Sequence, residues 1–238
     1  MQGKPQFGID APTLVLGFAI GGPLLIALSF AGFLAPAQPL VWTMRYTGAI
    51  LIAEAFLMTL SSLYGKRLLL RRMVAALALR GDEQVLDVGC GRGMLLLEAA
   101  RHLPQGRATG LDLWSTRDQS GNAAGATRRN AGLAGVSERV QIDTGDMRHM
   151  PYPDASFDAV VSSLAIHNLP TQTDREQAVR EIARVLKPGG RVALLDFRHT
   201  ADYAHTLRAN GLPDARRHGP RFLMFPWAWI VRAHKGSD

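Results

Sequence analysis

Residues 85–94 read VLDVGCGRGM, and this stretch decides the fold. An apolar run ends in an acid, Asp87, and three glycines follow on alternate positions, Gly89, Gly91 and Gly93. A short buried strand that breaks into a glycine turn and then a helix is the entry to a nucleotide-type site in an open α/β sheet. Glycine supplies the positive φ that such a turn needs and lets a ligand approach the backbone. The dinucleotide fingerprint G-x-G-x-x-G would place its third glycine where Met94 stands. The phosphate loop of nucleotide hydrolases needs G-K-S/T, and GRGML has neither the lysine nor the hydroxyl. Both phosphate-binding readings fail on chemistry.

Outward from the turn, strand-like and helix-like runs alternate. QVLDVG leads to the helix GMLLLEAARHL, RATGLDL is the second strand, and AAGATRRNAGLAG is helical. RVQIDTG and FDAVVSSLA read as strands three and four, with DREQAVREIARVL as the next helix and a turn at KPGG, residues 187–190. RVALLDF is a fifth strand, ADYAHTLRANG a short helix, and residues 216–235 an antiparallel pair. This order predicts an α/β fold: a Rossmann-like, mostly parallel, seven-stranded sheet with helices on both faces.

The remaining common user of G-x-G-x-G is S-adenosylmethionine, which carries no phosphate. It needs backbone approach to its amino-acid tail, an acid for the ribose hydroxyls, and an acid or amide for adenine. Asp112 ends the second strand, where an acid meets ribose hydroxyls in nucleotide folds. Asp146 follows the third strand in GDM, placed for the adenine amino group. With these residues the sequence resembles the Rossmann-like S-adenosylmethionine-dependent methyltransferases over about residues 65–238, and most closely the ubiquinone/menaquinone-biosynthesis type. The resemblance implies that Asp87 is the acid of the first motif and that Gly89, Gly91 and Gly93 pack on the methionine end of the cofactor. It implies that Asp112 holds the ribose, that Asp146 and Met147 flank adenine, and that Ser163 touches the cofactor. Two departures concern the acceptor: the polar loop WSTRDQSGN is long, and His167 stands before Asn168 where the quinone enzymes have another basic residue.

Residues 13–34 contain no charge, and a second apolar run, residues 47–64, is interrupted only by Glu54. Roughly 20 apolar residues span a bilayer. The expectation is a membrane hairpin over residues 1–64, followed by a methyltransferase domain over 65–238; a soluble helical cap and a signal peptide are the alternatives. Lys66, Arg67, Arg71, Arg72 and Arg80 follow the second run, while Arg45 alone lies in the loop between the runs. Basic residues mark the cytoplasmic flank, so a multi-pass cell-membrane location with a cytoplasmic catalytic domain is expected. The net charge of +7 suits anionic lipid or nucleic acid. Cys90, the single cysteine, supports no disulfide or zinc site, and the seven histidines show no metal-ligand spacing.

Methyl transfer from a sulfonium is an in-line displacement whose main requirement is positioning. A base is needed only when the nucleophile carries a proton of high pKa. His167 is the candidate base, because an imidazole titrates near neutrality. Asp118, Gln119 and Ser120 in the polar loop, and Asn168 after strand four, are candidates to read the acceptor. The leading function is methylation of a small or lipidic acceptor at the membrane. The alternatives are a nucleic-acid (RNA) methyltransferase, disfavoured because SSLAIHN lacks the Asn/Asp-Pro-Pro-aromatic box, and a non-catalytic S-adenosylmethionine-binding membrane protein.

Overall fold

The computed structural model describes residues 3–31, 37–115 and 121–236. Its centre is a seven-stranded sheet in the order β3-β2-β1-β4-β5-β7-β6. The strands are β1 Gln84–Val88, β2 Arg107–Asp112, β3 Val140–Thr144, β4 Phe157–Ser163, β5 Leu186–Asp196, β6 Arg216–Arg221 and β7 Ala228–His234. The first five run parallel, and β7 is antiparallel to both β5 and β6. In β1 every residue from Val85 to Val88 is buried, as a central parallel strand covered on both faces requires.

Helices fill both faces. Five of them belong to the sheet: α3 Lys66–Ala75, α4 Met94–Arg101, α5 Ala124–Ala134, α6 Gln172–Val185 and α7 Thr200–Ala209. Leu69, Leu70 and Met73 of α3 join Leu96, Leu97 and Ala100 of α4 in one core cluster. Val179 and Ile182 of α6 join Tyr203 and Leu207 of α7 in the other. Thr171 caps α6, its Oγ1 accepting from the Asp174 N–H at 3.0 Å. The anticipated turn at residues 187–190 lies inside β5. There Leu186 pairs with Phe157, the ladder then shifts, and Gly189 at φ 71° donates to the carbonyls of Lys235 and Gly236.

The apolar N-terminal region forms two packed helices, α1 Pro12–Leu28 and α2 Gln38–Leu60. Their backbones meet at Gly22 and Gly48: a Cβ on Gly48 would lie 2.6 Å from the Gly22 carbonyl oxygen and 2.7 Å from Ile26 Cγ1. Val41, Gly48 and Ala55 form a buried seam on α2 at seven-residue spacing. Small residues that bring backbones together are the packing mode of helices in lipid. At the far end Arg45 donates to Ser29 Oγ at 3.1 Å and lies over the Phe30 ring.

One expectation is corrected. The first apolar helix ends at Leu28, short of residue 34, because the chain turns at Ser29 and Phe30; residues 32–36 lie outside the described set. Among the described residues only one helix, Gln38–Ala75, is long and apolar enough to cross a membrane, and α1 falls below that length. The boundary between residues 64 and 65 falls inside a helix. The helix runs unbroken from Gln38 to Ala75 through a π-helical turn at Ser61–Gly65. No linker separates the hairpin from the catalytic sheet.

Candidate cofactor and acceptor site

The site lies beyond the carboxyl ends of β1, β2 and β4, where β1 turns one way into α4 and β4 the other way into α6. Gly89, Gly91 and Gly93 all take positive φ, at 73°, 51° and 85°. A Cβ on Gly89 would sit 2.2 Å from Ala165 Cβ, and one on Gly93 would sit 2.8 Å from Thr127 Cγ2. The first glycine keeps the turn against the β4 loop, and the third opens α4 against α5. Gly89 and Gly91 line the pocket; Gly93 lies behind it.

Asp87, Asp112, Met147, Ser163 and Asn168 line the same pocket. Asp87 is almost fully buried. Neither of its carboxylate oxygens has a hydrogen-bond partner among the described residues, and the same holds for Ser163 Oγ and Asn122 Oδ1. Burial first, and the Asp112 charge second, push the Asp87 carboxyl up to about 8. A buried acid without partners is costly, so these orphaned atoms mark a cradle that awaits a polar ligand. Asp112 accepts from Gly91 N–H at 2.8 Å through Oδ2, and from Trp114 N–H at 2.6 Å and Asn122 Nδ2 at 3.1 Å through Oδ1. It thus ties the glycine turn to the start of the polar loop. Asp118, Gln119 and Ser120 lie outside the described residues. Cys90 is buried, and burial raises its thiol far above the ordinary range, which suits a packed loop residue and not a nucleophile.

Two candidates are absent from the pocket lining. Asp146 does not line the pocket. Its carboxylate takes the Arg148 guanidinium at 2.6 Å, which holds it below the usual carboxylate range, and Arg148 also reaches Asp174 at 2.8 Å. His167 sits one residue before the pocket-lining Asn168. Its Nδ1 lies 2.8 Å from Asp196 Oδ1, and its ring packs edge-on to Phe197 with centroids 4.5 Å apart. Asp196 is buried at the end of β5 and also accepts from Phe197 N–H at 2.8 Å and Tyr203 Oη at 3.2 Å. The hydrogen bond that Asp196 takes from His167 is the backbone one, its Oδ2 accepting from the His167 N–H at 3.2 Å, while the imidazole Nδ1 lies close to the carboxylate without a hydrogen bond to it.

The N-terminal segment before α1, which the sequence did not single out, closes one wall of the pocket. Phe7 and Asp10 line it together with Lys66 and Leu70 of α3. Asp10 pairs with Lys66 Nζ at 2.8 Å, and its N–H donates to Ser62 Oγ at 3.2 Å. Gln6 and Asn130 exchange two hydrogen bonds of 2.9 Å, pinning the segment to α5. Lys66 was assigned to the membrane flank; the structure turns it into the site. Among the described residues no cluster of potential ligands for a metal ion is found.

Residues 86–194, from β1 to β5, match the family model described as "Methyltransferase domain". The chain is similar to 27-O-demethylrifamycin SV methyltransferase of Amycolatopsis mediterranei, 36% identical over 126 residues, which cover 53% of this chain and 43% of that one. It is also 37% identical over 128 residues to demethylmenaquinone methyltransferase of Deinococcus radiodurans, covering 53% of this chain and 48% of that one. The matched stretch spans a little under half the length of these curated relatives. Among solved structures, a SAM-dependent methyltransferase from Aquifex aeolicus superposes with a TM-score of 0.56 at 17% identity, covering 70% of this chain and 89% of that one. Geranyl diphosphate methyltransferase, solved in complex with GPP and sinefungin, gives 0.55 at 13% identity, covering 70% and 76%. At such identities the likeness speaks for the fold. The sheet and glycine turn share the fold of these methyltransferases, and β1 to β5 match the methyltransferase-domain model. The cofactor of such domains is S-adenosyl-L-methionine, and the orphaned Asp87 and Ser163, with Asp112 and Met147, are the residues that fit it.

Proposed function

We propose that the protein is an S-adenosylmethionine-dependent methyltransferase that acts on a small or lipid-soluble acceptor at a membrane. The observation that carries this reading is the wall of the pocket. The residues that complete it, Phe7, Asp10 and Lys66, belong to the segments that enter and leave the apolar helices. Those helices expose Leu16, Ile20, Leu24, Ile50 and Phe56, among others, to solvent. An exposed apolar surface of that extent marks an interaction site. The 23 residues of α2 extend about 34 Å at 1.5 Å per residue, enough for a bilayer core. An acceptor dissolved in lipid then reaches the site along the helices. Arg67 and Arg72, next to the apolar run, support a cytoplasmic side for the sheet, because basic residues mark that flank of a membrane span. The acceptors printed in the relatives' names, a menaquinone precursor and a rifamycin, are small organic molecules and support this class.

S-adenosylmethionine supplies an electrophilic methyl group on a sulfonium. The chain supplies position and a proton acceptor. Asp87 answers a positive group at the closed end of the pocket, Asp112 answers hydroxyls at the β2 end, and Met147 supplies apolar packing. His167, next to the pocket-lining Asn168 and against the Asp196 carboxylate, is the group in reach of the pocket margin that would take a proton from an acceptor hydroxyl or activated carbon. The test is transfer from methyl-labelled cofactor into a membrane extract. Label in the lipid-soluble fraction is expected. Label in RNA would replace the acceptor class, and cofactor binding with no transfer would leave a non-catalytic binding protein.

A further inference from the structure

The outer edge of the sheet carries a charge that the cofactor site does not use. β6 reads RRHGPR, and β7 adds Arg232 directly opposite Arg216. Arg216 and Arg217 are exposed, and His218, Arg221 and Arg232 are half-buried. None of the four arginines has a carboxylate within ion-pair distance among the described residues, whereas Arg148, Arg184 and Arg191 on other elements are all paired. Arg217 stacks over Trp229 at 4.1 Å. Burial and the surrounding guanidinium groups of Arg232, Arg221 and Arg216 push His218 below its ordinary value, as expected of positive charge crowded without a counter-anion.

The loop that follows β6 is aromatic and exposed. Phe222 is 70% exposed and Trp227 is 52% exposed, and their rings meet edge-to-face at 5.1 Å. The same loop is seated on the helix that leaves the apolar hairpin. Phe225 N–H donates to Ser61 Oγ at 2.9 Å, Ser61 Oγ contacts Met224 Sδ at 3.7 Å, and Gly65 lies so close to the Leu223 carbonyl that any Cβ there would collide with it. Tyr64, also 70% exposed, adds a third ring at this level. The apolar helices are thus joined through the aromatic loop to the unpaired cationic edge strand. That is the order of chemistry met on leaving a bilayer: hydrocarbon, interface, phosphate layer.

We propose that the β6–β7 edge is a second membrane contact, in which Phe222 and Trp227 enter the interface of an anionic phospholipid bilayer and the β6 arginines hold its phosphate groups. The inference rests on the membrane reading of the hairpin and adds what that reading does not require: a preference for anionic lipid and a fixed orientation of the catalytic sheet. With the sheet edge held, the pocket mouth stays at the height where the hairpin meets the headgroups. Arginine suits this role because its planar guanidinium binds phosphate through two parallel bonds.

The test uses the full chain in vesicles of phosphatidylcholine, with or without phosphatidylglycerol, and an environment-sensitive fluorophore on F222C, or on I50C in α2. Quenching by brominated lipids reports immersion. F222C is expected to be quenched only when phosphatidylglycerol is present. The docked-to-undocked ratio is expected to fall about fivefold for each arginine removed in R217E/R221E. R217Q/R221Q serves if the reversed pair does not fold. Quenching of I50C without quenching of F222C, or F222C quenching indifferent to lipid charge and to both variants, overturns the second contact and leaves the hairpin reading intact. Quenching of F222C without I50C keeps the contact and removes the hairpin span. Quenching of neither removes both, and loss of single-stranded RNA binding in R217E/R221E would then assign the edge to nucleic acid.

Discussion

The catalytic sheet and the N-terminal hairpin use the same residues in opposite ways. In the sheet, Val85, Leu86 and Val160 are sealed from solvent, as is Leu96 of the α4 helix that covers it. In the hairpin, Leu16, Ile20, Ile50 and Phe56 point outward, and the buried positions of the two helices include Gly22, Gly48 and Ala55 beside Val41 and Met58. Apolar side chains drive folding where the surroundings are water. Where the surroundings are hydrocarbon they gain nothing by hiding, and backbone-to-backbone packing at glycine takes over. The inversion supports the membrane setting proposed for the hairpin. It also explains why the two regions meet at a π-turn rimmed by Ser61, Ser62, Lys66 and Asp10: polar groups are placed where one regime changes into the other.

The largest effect that sharpens this contrast lies on the sheet side. His167→Gln is expected to lower turnover by about 10²–10⁴-fold, the range for general acid–base catalysis, with cofactor affinity retained. Asp196→Asn should move in the same direction by less, with a shifted pH profile, because it removes the carboxylate charge beside the imidazole and not the imidazole itself. Turnover near wild type at every pH would leave His167 as a structural residue that braces Phe197 and Asp196.

On the hairpin side, Gly48→Val forces a side chain into the Gly22 backbone. Overpacking costs about 1–3 kcal/mol, and here no flexible atom gives way. Spin labels on I20C and I50C should report a longer and broader distance in G48V, while the catalytic sheet keeps its thermal transition. An unchanged distance would break the comparison, since it would show that the hairpin does not depend on close backbone contact.

How much of this was legible beforehand differs between the regions for a physical reason. The strands and the glycine turn were readable because each is local: an apolar run, a positive-φ residue, a helix start. Asp112 and Met147 were readable as pocket-lining residues because one ends β2 and the other closely follows β3 on the site's side of the sheet. Asp146 shares that position, yet Arg148 two residues later captures its carboxylate, a local competition that a motif match overlooks. The wall formed by Phe7 and Asp10 was not readable. Nothing in GIDAP marks it, and it depends on Lys66, Ser62 and Asn130, which are distant in sequence. Asp196, whose carboxylate lies against His167, was visible only as the end of a strand. A cut at residue 64, which the apolar pattern suggests, would sever the continuous helix and strip Phe7 and Asp10 from the pocket.

Asp112→Ala tests the part of the site that was legible. A carboxylate accepting two hydroxyls makes charge-assisted bonds of roughly 1.5–3 kcal/mol each. The variant also frees the Gly91 and Trp114 N–H groups. Affinity for S-adenosylmethionine is expected to fall at least about tenfold, by calorimetry, with the sheet still folded. Unchanged affinity would remove Asp112 from the ribose assignment.

The smallest effect is the most diagnostic of the cradle. Asp87 titrates at about 8 in the folded chain, raised by burial and by Asp112, against about 3.9 when unfolded. Both states hold the proton below the lower value. Between the two values only the folded state keeps it, so this group makes stability fall as pH rises through the window and reach its full penalty above 8. Asp87→Asn removes the penalty, and its melting temperature without cofactor should exceed wild type more at pH 9 than at pH 6. The cofactor reverses the balance, because a cationic amino group beside Asp87 favours the ionised acid. Binding near pH 7 should therefore release a proton, visible as a dependence of the calorimetric heat on buffer ionisation enthalpy. Affinity should rise about fivefold between pH 7 and 8 as the ionised fraction of Asp87 grows. In Asp87→Asn it should be weaker and flat over the same range. A wild-type affinity that does not change with pH, with no proton released, would mean that Asp87 stays neutral in the complex and that the positive end of the ligand lies elsewhere.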